Sequence, residues 1–197
     1  MNKRQFLLGT VLGVPALDVL ASRTKADPLA VGPSLLTITG EVGRTNRGPL
    51  DSAKDLLMVK HNLQFERAFS LDFAALTRLP QVSIRPTLEY DAKVHGLRGP
   101  SMIEVLKWAG VSMTGQTRLS LRAIDGYSAH WLLADLATHP LIIATHLDEK
   151  PMPLGGLGPL WAIYEADHLP EMADQSLPER FARCPWGIYH IGVETER

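Results

Sequence analysis

The chain has 197 residues and a formal net charge of −1, with 45% hydrophobic and 21% charged residues. This length and composition predict one globular domain with a full core and leave little room for two domains. The near-neutral charge argues against a nucleic-acid partner, and a single cysteine excludes an internal disulfide framework.

The N-terminal segment has the features of an export signal. A basic start at Lys3 and Arg4 precedes a mostly apolar run, and the small residues of a Thr-Lys-Ala tripeptide stand just before Asp27. The alternative is an amphipathic first helix of the mature domain, but glycines and a proline in the run disfavour a packed helix. We expect a signal peptide over 1–26 and a periplasmic domain over 27–197. The Lys-Arg pair is similar to a twin-arginine signal and leaves the export route open.

The first predicted elements are a strand and a short helix. Leu35–Thr39 is apolar and β-branched and runs into a glycine-containing turn, which indicates a strand. Ser70–Leu76 is predicted as a helix that begins at an N-cap Ser70, with Asp72 in its first turn, where a carboxylate favours the helix dipole.

A strand and the clearest helix follow. Gln81–Arg85 alternates with period two, so we expect Val82 and Ile84 to face the core. Ser101–Trp108 and the alanine after it carry apolar residues at the i, i+3, i+4, i+7 spacing, which predicts a half-buried helix ended by Gly110.

Strands dominate the second half of the sequence, with a helical turn expected at Leu132–Leu136. The predicted strands are Arg118–Ile124, Leu141–Thr145, Leu160–Tyr164 and Gly187–Val193. These elements indicate an α+β fold, with a mixed β-sheet folded around a pocket.

The segment Asp148–Trp161 is the most informative in the chain. Its proline and glycine residues allow the backbone to approach a flat ligand closely. With the preceding AIDGYSAHWLLADL and PLIIATHLD it resembles the sulfite-oxidase-type molybdopterin-binding domain, roughly over Leu35–Val193. The resemblance implies a single barrel-like domain of mixed β-sheet. It also implies an oxidoreductase that holds molybdenum through a cysteine, whereas Thr87–Gly96 offers no thiol.

The resemblance also implies a pterin pocket built from three loops, TLEY, DGY and GPLW. Its expected ligand-binding residues are Thr87, Glu89, Tyr90, Asp125, Gly126, Tyr127, His130, Met152, Gly158, Pro159, Leu160 and Trp161. No catalytic residue and no metal ligand is expected.

Several of these residues have two interpretations. Trp161 is expected either to stack on a pterin ring or to be a core aromatic residue. Asp125 or Glu89 is the expected acceptor for the donor edge of the pterin, although Asp-Gly-Tyr also has the sequence of a simple β-turn. Tyr127 is expected to cover the other face of the ring.

The histidines show no metal-binding spacing. His130 is interpreted either as a hydrogen-bonding ligand residue or as an exposed loop histidine. Cys184 is interpreted either as a buried thiol or as a reactive or metal-bound one.

Two functions remain open. The GPLW segment, with Tyr164 and Trp186, is similar to a subgroup of small periplasmic proteins of this fold that bind reduced pterins. That resemblance implies a tetrahydropterin sensor that lacks the metal-binding cysteine of the family. Its expected partner is the periplasmic domain of a membrane-bound cyclic di-GMP cyclase or phosphodiesterase. The alternative is a molybdopterin-dependent oxidoreductase of the sulfite or sulfoxide type. In the subgroup the segment before GPLW is usually charged and the final Trp precedes a Gln, and this chain departs from both features.

Overall fold

The computed structural model describes residues 32–113 and 116–195, so the predicted signal peptide lies outside the described residues. The strands are β1 (Ser34–Gly40), β2 (Ala68–Asp72), β3 (Gln81–Ile84), β4 (Leu97–Pro100), β5 (Thr117–Ala123), β6 (Ser128–Leu132), β7 (Ile142–Ala144), β8 (His146–Leu147), β9 (Lys150–Pro151), β10 (Trp161–Ile163) and β11 (Ile188–Thr195). The α-helices are α1 (Leu56–Lys60), α2 (Phe73–Arg78), α3 (Met102–Trp108) and α4 (Leu177–Arg180). Turns of 3₁₀-helix lie at Leu133–Ala137, Ala166–His168 and Pro170–Met172.

The central sheet has five strands in the order β2-β1-β11-β5-β6. The β1–β11 pair is parallel, and the other three pairs are antiparallel. Leu119 and Leu121 of β5 point into the core, whereas Arg118, Ser120 and Arg122 alternate with them on the outer face. The outer face of β5 is therefore polar.

Two smaller sheets, β3-β4-β8-β9 and β10-β7, contribute buried residues to the same hydrophobic core as the central sheet. β4 and β7 come very close together where Gly99 stands opposite Ile143. A Cβ atom on Gly99 would lie 1.9 Å from the carbonyl oxygen of Ile143, so only glycine permits this approach.

Helix α3 confirms the prediction made from its periodicity. The Ser101 hydroxyl accepts a hydrogen bond from the backbone N–H of Glu104 at 3.2 Å and caps the first turn. Gly110 follows the helix with φ of +73°. The four residues at the predicted spacing, Met102, Val105, Leu106 and Ala109, are completely buried.

The prediction of a helix over Ser70–Leu76 is wrong at its start. Ser70 lies within strand β2, where it pairs with Thr37 of β1, and the helix begins only after Asp72. The Asp72 carboxylate is the N-cap, since its Oδ1 accepts a hydrogen bond from the N–H of Ala75 at 2.6 Å.

The expected burial of Val82 is also wrong, because β3 is an edge strand. Val82 remains 39% exposed, whereas Ile84 is buried as expected. Strands Thr117–Ala123, Ile142–Ala144, Trp161–Ile163 and Ile188–Thr195 agree with the predicted strands to within a few residues.

The fold is α+β, with several sheets and few helices, as expected. The described strands do not close into a barrel, because β2 and β6 each pair with only one neighbour and leave the central sheet open. Over residues 32–113 and 116–195, no helix has the length and apolar character needed to cross a bilayer.

Candidate functional site

Two adjoining hollows meet at Asp125 and Trp186 and together form the aromatic cleft. The first hollow encloses about 270 Å³ and is lined by Glu89, Tyr90 and Tyr127 as well as by the chain between Phe181 and Trp186. The second encloses about 330 Å³ between Trp186 and a loop of mainly glycine and leucine residues, namely Leu154, Gly155, Gly156 and Gly158. Of the three loops predicted to form a pocket, TLEY and DGY line the first hollow, whereas GPLW contributes only Gly158, to the second.

Trp186 separates the two hollows. It stands opposite Trp161 in an isolated antiparallel bridge, and the neighbouring Pro185 carbonyl accepts a hydrogen bond from the N–H of Ala162 at 3.1 Å. Gly187 then turns the chain away with φ of +62°. The backbone at Trp186 is thus fixed against β10 while its indole stays 41% exposed in the cleft.

Glu89 and Tyr90 lie at the tip of a loop that spans residues 87–95. The Leu88 N–H donates to the carbonyl of Lys93 at 2.9 Å, and the buried Leu88 side chain anchors the loop in the core. Tyr90 is 55% exposed, and its ring centroid lies 6.4 Å from that of Trp161. Burial and, after it, the neighbouring Glu89 raise the pKa of Tyr90 to about 12, so this phenol is protonated at neutral pH.

The Asp-Gly-Tyr segment is a β-turn between β5 and β6, and it also lines the cleft. Oδ1 of Asp125 accepts a hydrogen bond from the Tyr127 N–H at 2.9 Å, and Gly126 takes φ of +95°. The Tyr127 hydroxyl donates to the carbonyl oxygen of Ala182, which fixes its ring at the cleft wall. Oδ2 of Asp125 accepts no hydrogen bond from the described residues, so this oxygen remains available to a ligand.

Trp161 is a core residue. Its side chain has no exposed surface, and its indole Nε1–H donates a hydrogen bond to the carbonyl of Cys184 at 2.9 Å. A ligand has no access to this ring as the side chains now stand. Trp186 is the tryptophan that faces the cleft.

The other predicted residues occupy different surroundings. Met152 and Leu160 are buried, and Gly158 packs on Met152 so closely that a Cβ atom would lie 2.6 Å from the methionine Cβ. Pro159 is half-buried, and the Thr87 backbone N–H is bound to the Asp167 carboxylate at 2.7 Å. His130 lines a separate cleft on the outer face of the central sheet.

The single cysteine is a buried thiol. Cys184 is 4% exposed, and burial raises its pKa well above the ordinary value of 9.0, which keeps the thiol protonated. Within the described parts of the chain, no group of three or more His, Cys, Asp or Glu residues is arranged to hold a metal ion.

Comparison with known proteins identified no relative of this chain. No protein-family model matches the chain, and no curated protein matches its sequence. The geometry of the aromatic cleft is therefore the main structural guide to function.

From the sequence, Trp186 was noted as similar to a residue of the pterin-binding subgroup, but it was not predicted to line the pocket. The available signal was its position between Pro185 and Gly187, two residues that favour an irregular segment just before a strand. Leu154, which is 74% exposed at the rim of the cleft, was missed as well.

His95 links the loop that carries Glu89 and Tyr90 to the turn between β8 and β9. Its Nδ1 lies 2.7 Å from Oδ2 of Asp148, and its Nε2 lies 3.1 Å from the Asp91 carboxylate. Asp148 precedes the glycine-rich loop, and its Oδ1 also accepts from the Gly96 N–H at 3.0 Å. The carboxylates of Asp148 and Asp91 raise the pKa of His95 above 6.5, because only a protonated ring donates to both of them.

The His95 contacts predict a pH-dependent contribution to stability. Because the folded-state pKa is raised, the contribution is complete below the unfolded pKa of about 6.5 and is lost as pH rises through the folded value. It is also lost in acid, since the pKa values of Asp148 and Asp91 are lowered by the same contacts. We expect His95→Gln to lower the melting temperature most between about pH 4 and pH 6.5, and little in strong acid or at alkaline pH.

Thermal unfolding of both proteins across this pH range measures the effect. His168→Gln is the control, because the His168 side chain is 76% exposed and lies 3.5 Å from Glu165. A destabilisation by His95→Gln that is equal at all pH values would contradict the proposed charged contacts.

Proposed function

We propose that the protein has a sulfite-oxidase-type fold and binds a reduced pterin in the aromatic cleft. The observation that carries the proposal is the meeting of two carboxylates, Glu89 and Asp125, with the exposed rings of Tyr90 and Trp186 in one cleft. A pterin presents adjacent N–H donors on one edge and two flat faces. Carboxylates accept from such an edge, and aromatic rings stack on such faces.

Asp125 is the better candidate for the acceptor. Its Oδ1 is held by the Tyr127 N–H, so the carboxylate is oriented before a ligand binds. The Glu89 carboxylate accepts a hydrogen bond from the Tyr90 hydroxyl, so fewer of its lone pairs are left to accept hydrogen bonds from a ligand. The Tyr90 hydroxyl donates its single hydrogen to Glu89, so it contributes to the shape of the cleft and not a free donor.

The charge of the cleft favours an unphosphorylated pterin over molybdopterin. Its lining residues contain two carboxylates, and no arginine or lysine is among them. A phosphate would meet repulsion there and would find no cation with which to pair. The glycine-rich hollow is apolar and suits a small uncharged substituent on the ring.

We further propose that ligand binding serves signalling rather than turnover. The buried, protonated Cys184 is the only thiol of the chain and is not suited to hold molybdenum. In this proposal the mature protein is periplasmic, and the pterin-bound form contacts the periplasmic domain of a membrane-bound cyclic di-GMP cyclase or phosphodiesterase. Co-purification with such an enzyme from periplasm-facing membranes tests the partner.

Substitution of Trp186 tests the stacking surface. We expect Trp186→Ala to weaken tetrahydropterin binding by about 1–3 kcal/mol, because an exposed aromatic anchor is lost without loss of core packing. Trp186→Phe should weaken binding less, since a smaller ring still stacks. Calorimetry measures both, with Val82→Ala as a control because Val82 is similarly exposed, at 39%, and does not line the cleft. Equal affinities of Trp186→Ala and wild type would contradict stacking on this residue.

Substitution of Asp125 tests the acceptor. Asp125→Asn retains the Oδ1 acceptor of the turn but loses the charge, so we expect binding to weaken by about 1.5–3 kcal/mol with little change in melting temperature. Glu89→Gln should leave binding unchanged. The reverse ranking would show that Glu89 is the acceptor. If wild type binds no pterin but gains sulfite- or sulfoxide-dependent turnover when loaded with molybdopterin, the oxidoreductase function replaces this proposal.

A further inference from the structure

A second cleft lies on the outer face of the central sheet and shares no lining residue with the aromatic cleft. It encloses about 720 Å³ and is termed the arginine cleft, because Arg118, Arg122 and Arg183 line it together with Ser120 and His130. Two carboxylates, Asp135 and Glu194, lie at its walls. The pterin proposal uses none of these residues except His130, which the structure places here.

Two of the three arginines have fixed partners. Nη2 of Arg183 donates to the His130 carbonyl at 2.6 Å and lies 3.3 Å from Oδ2 of Asp135, and its guanidinium covers the Trp131 ring at 3.7 Å from the centroid. Arg118 stands directly opposite Glu194 in the β5–β11 register. These contacts hold Arg183 as a rigid wall of the cleft.

Arg122 is different, because it has no counter-ion. Its Nη1 donates to the Gly126 carbonyl at 3.3 Å, but its Nε is buried and has no hydrogen-bond partner. Over residues 32–113 and 116–195 it forms no ion pair. A buried donor on a charged group without a partner is costly. The Arg122 side chain also lines the cleft, where a ligand can approach the guanidinium.

The neighbours of Arg122 are neutral and include hydroxyl groups. Ser128 stands opposite Arg122 in the β5–β6 register, and its hydroxyl lies 3.2 Å from that of Ser120. On the other side, burial and then the Arg122 charge lower the pKa of His190 to about 4, so that ring is uncharged at neutral pH. The positive charge of Arg122 therefore has no counter-ion among the described residues, and it lies beside two hydroxyl groups, one of which donates to the other.

We propose that the arginine cleft binds a small oxyanion, a phosphate or a carboxylate, through the guanidinium of Arg122 and the hydroxyl of Ser120, to which Ser128 is hydrogen-bonded. Guanidinium and hydroxyl donors match the acceptor oxygens of such a group. A small ligand fits better than an acidic protein surface, because Asp135 and Glu194 at the walls repel further negative charge. The site is independent of the pterin proposal.

The test is titration of the full chain with inorganic phosphate and, separately, with malonate, each against sodium chloride of equal ionic strength. The buried Nε–H of Arg122 gives a direct nuclear magnetic resonance signal, and we expect this signal and the Ser120 and Ser128 amides to shift with a saturating curve. Arg122→Gln should weaken binding at least about tenfold. Arg122→Lys should retain part of the affinity, since it keeps the charge but loses the planar donor pair.

Arg78→Gln is the matched control, because it removes one exposed positive charge at the end of α2, outside the arginine cleft. Its affinity for the anion should equal that of wild type. The proposal is overturned if neither anion shifts the Arg122 signal beyond the sodium chloride effect. It is equally overturned if folded Arg122→Gln and Arg122→Lys bind as tightly as wild type.

Discussion

Replacing Trp161 by alanine is expected to lower the free energy of unfolding by about 3–5 kcal/mol. The indole has no exposed surface, so its removal leaves a void in the core between β10 and the segment that follows α4. The change also removes the donor to the Cys184 carbonyl, which is then left buried without its 2.9 Å hydrogen bond. Denaturant titration of wild type and Trp161→Ala measures the loss as a shift of the unfolding midpoint, provided that the dependence of the free energy on denaturant concentration has the same slope in both proteins.

The two tryptophans that face each other across an isolated bridge provide an internal comparison. Trp186→Ala should have a melting temperature close to that of wild type and should bind pterin weakly. Trp161→Ala should instead have a clearly lower melting temperature. Trp161→Phe should cost less than the alanine change, because most of the void remains filled. A stable Trp161→Ala that binds no pterin would mean that this ring reaches the ligand after all.

Replacing Leu106 by alanine is expected to cost about 2–5 kcal/mol. Leu106 is completely buried on the inner face of α3, where it packs with Met102 and Val105 into the core. A helix this short contributes little stability by itself. The packing of its buried face against the core therefore supplies most of the free energy that stabilises α3. The expected result is a lower denaturant midpoint with an unchanged slope.

Lys107→Ala is the matched control on the same helix. Lys107 is exposed, and its ammonium lies 2.9 Å from a carboxylate oxygen of Glu104. Exposed pairs of this kind contribute about 0–1 kcal/mol, so the substitution should be nearly silent. Similar losses in Leu106→Ala and Lys107→Ala would show that the buried face of α3 is assigned incorrectly.

Helix α3 could be predicted because three local signals agree. Its apolar spacing, the N-cap Ser101 and the terminal Gly110 act within a few residues of one another and need no knowledge of the rest of the fold. Asp125 and Gly126 were predicted as a turn for the same reason. Local chemistry determined these elements.

Strand β2 could not be predicted in this way. The segment Ser70–Leu76 was predicted as one helix, but its first three residues belong to a strand because they pair with β1. Such pairing depends on residues far away in the chain, which intrinsic propensity does not report. The open edges of the central sheet were missed for the same reason.

The candidate site was predicted in part. Glu89, Tyr90, Asp125 and Tyr127 do line one cleft, although their role as pterin ligands stays a prediction. Which tryptophan faces the cleft could not be read from the sequence, because the two residues pair in one backbone bridge and only the surrounding tertiary packing buries Trp161 and leaves Trp186 exposed.

The pairing of β1 with β11 has a consequence for how the protein is made. Thr39 and His190 form a buried hydrogen bond across 151 residues of chain, and among the described strands β11 alone joins β1 to β5. The central sheet therefore cannot assemble on the ribosome until nearly all of the described sequence has emerged. Until then β1 and β5 remain exposed to chaperones and proteases, and closure of so long a loop makes folding slow.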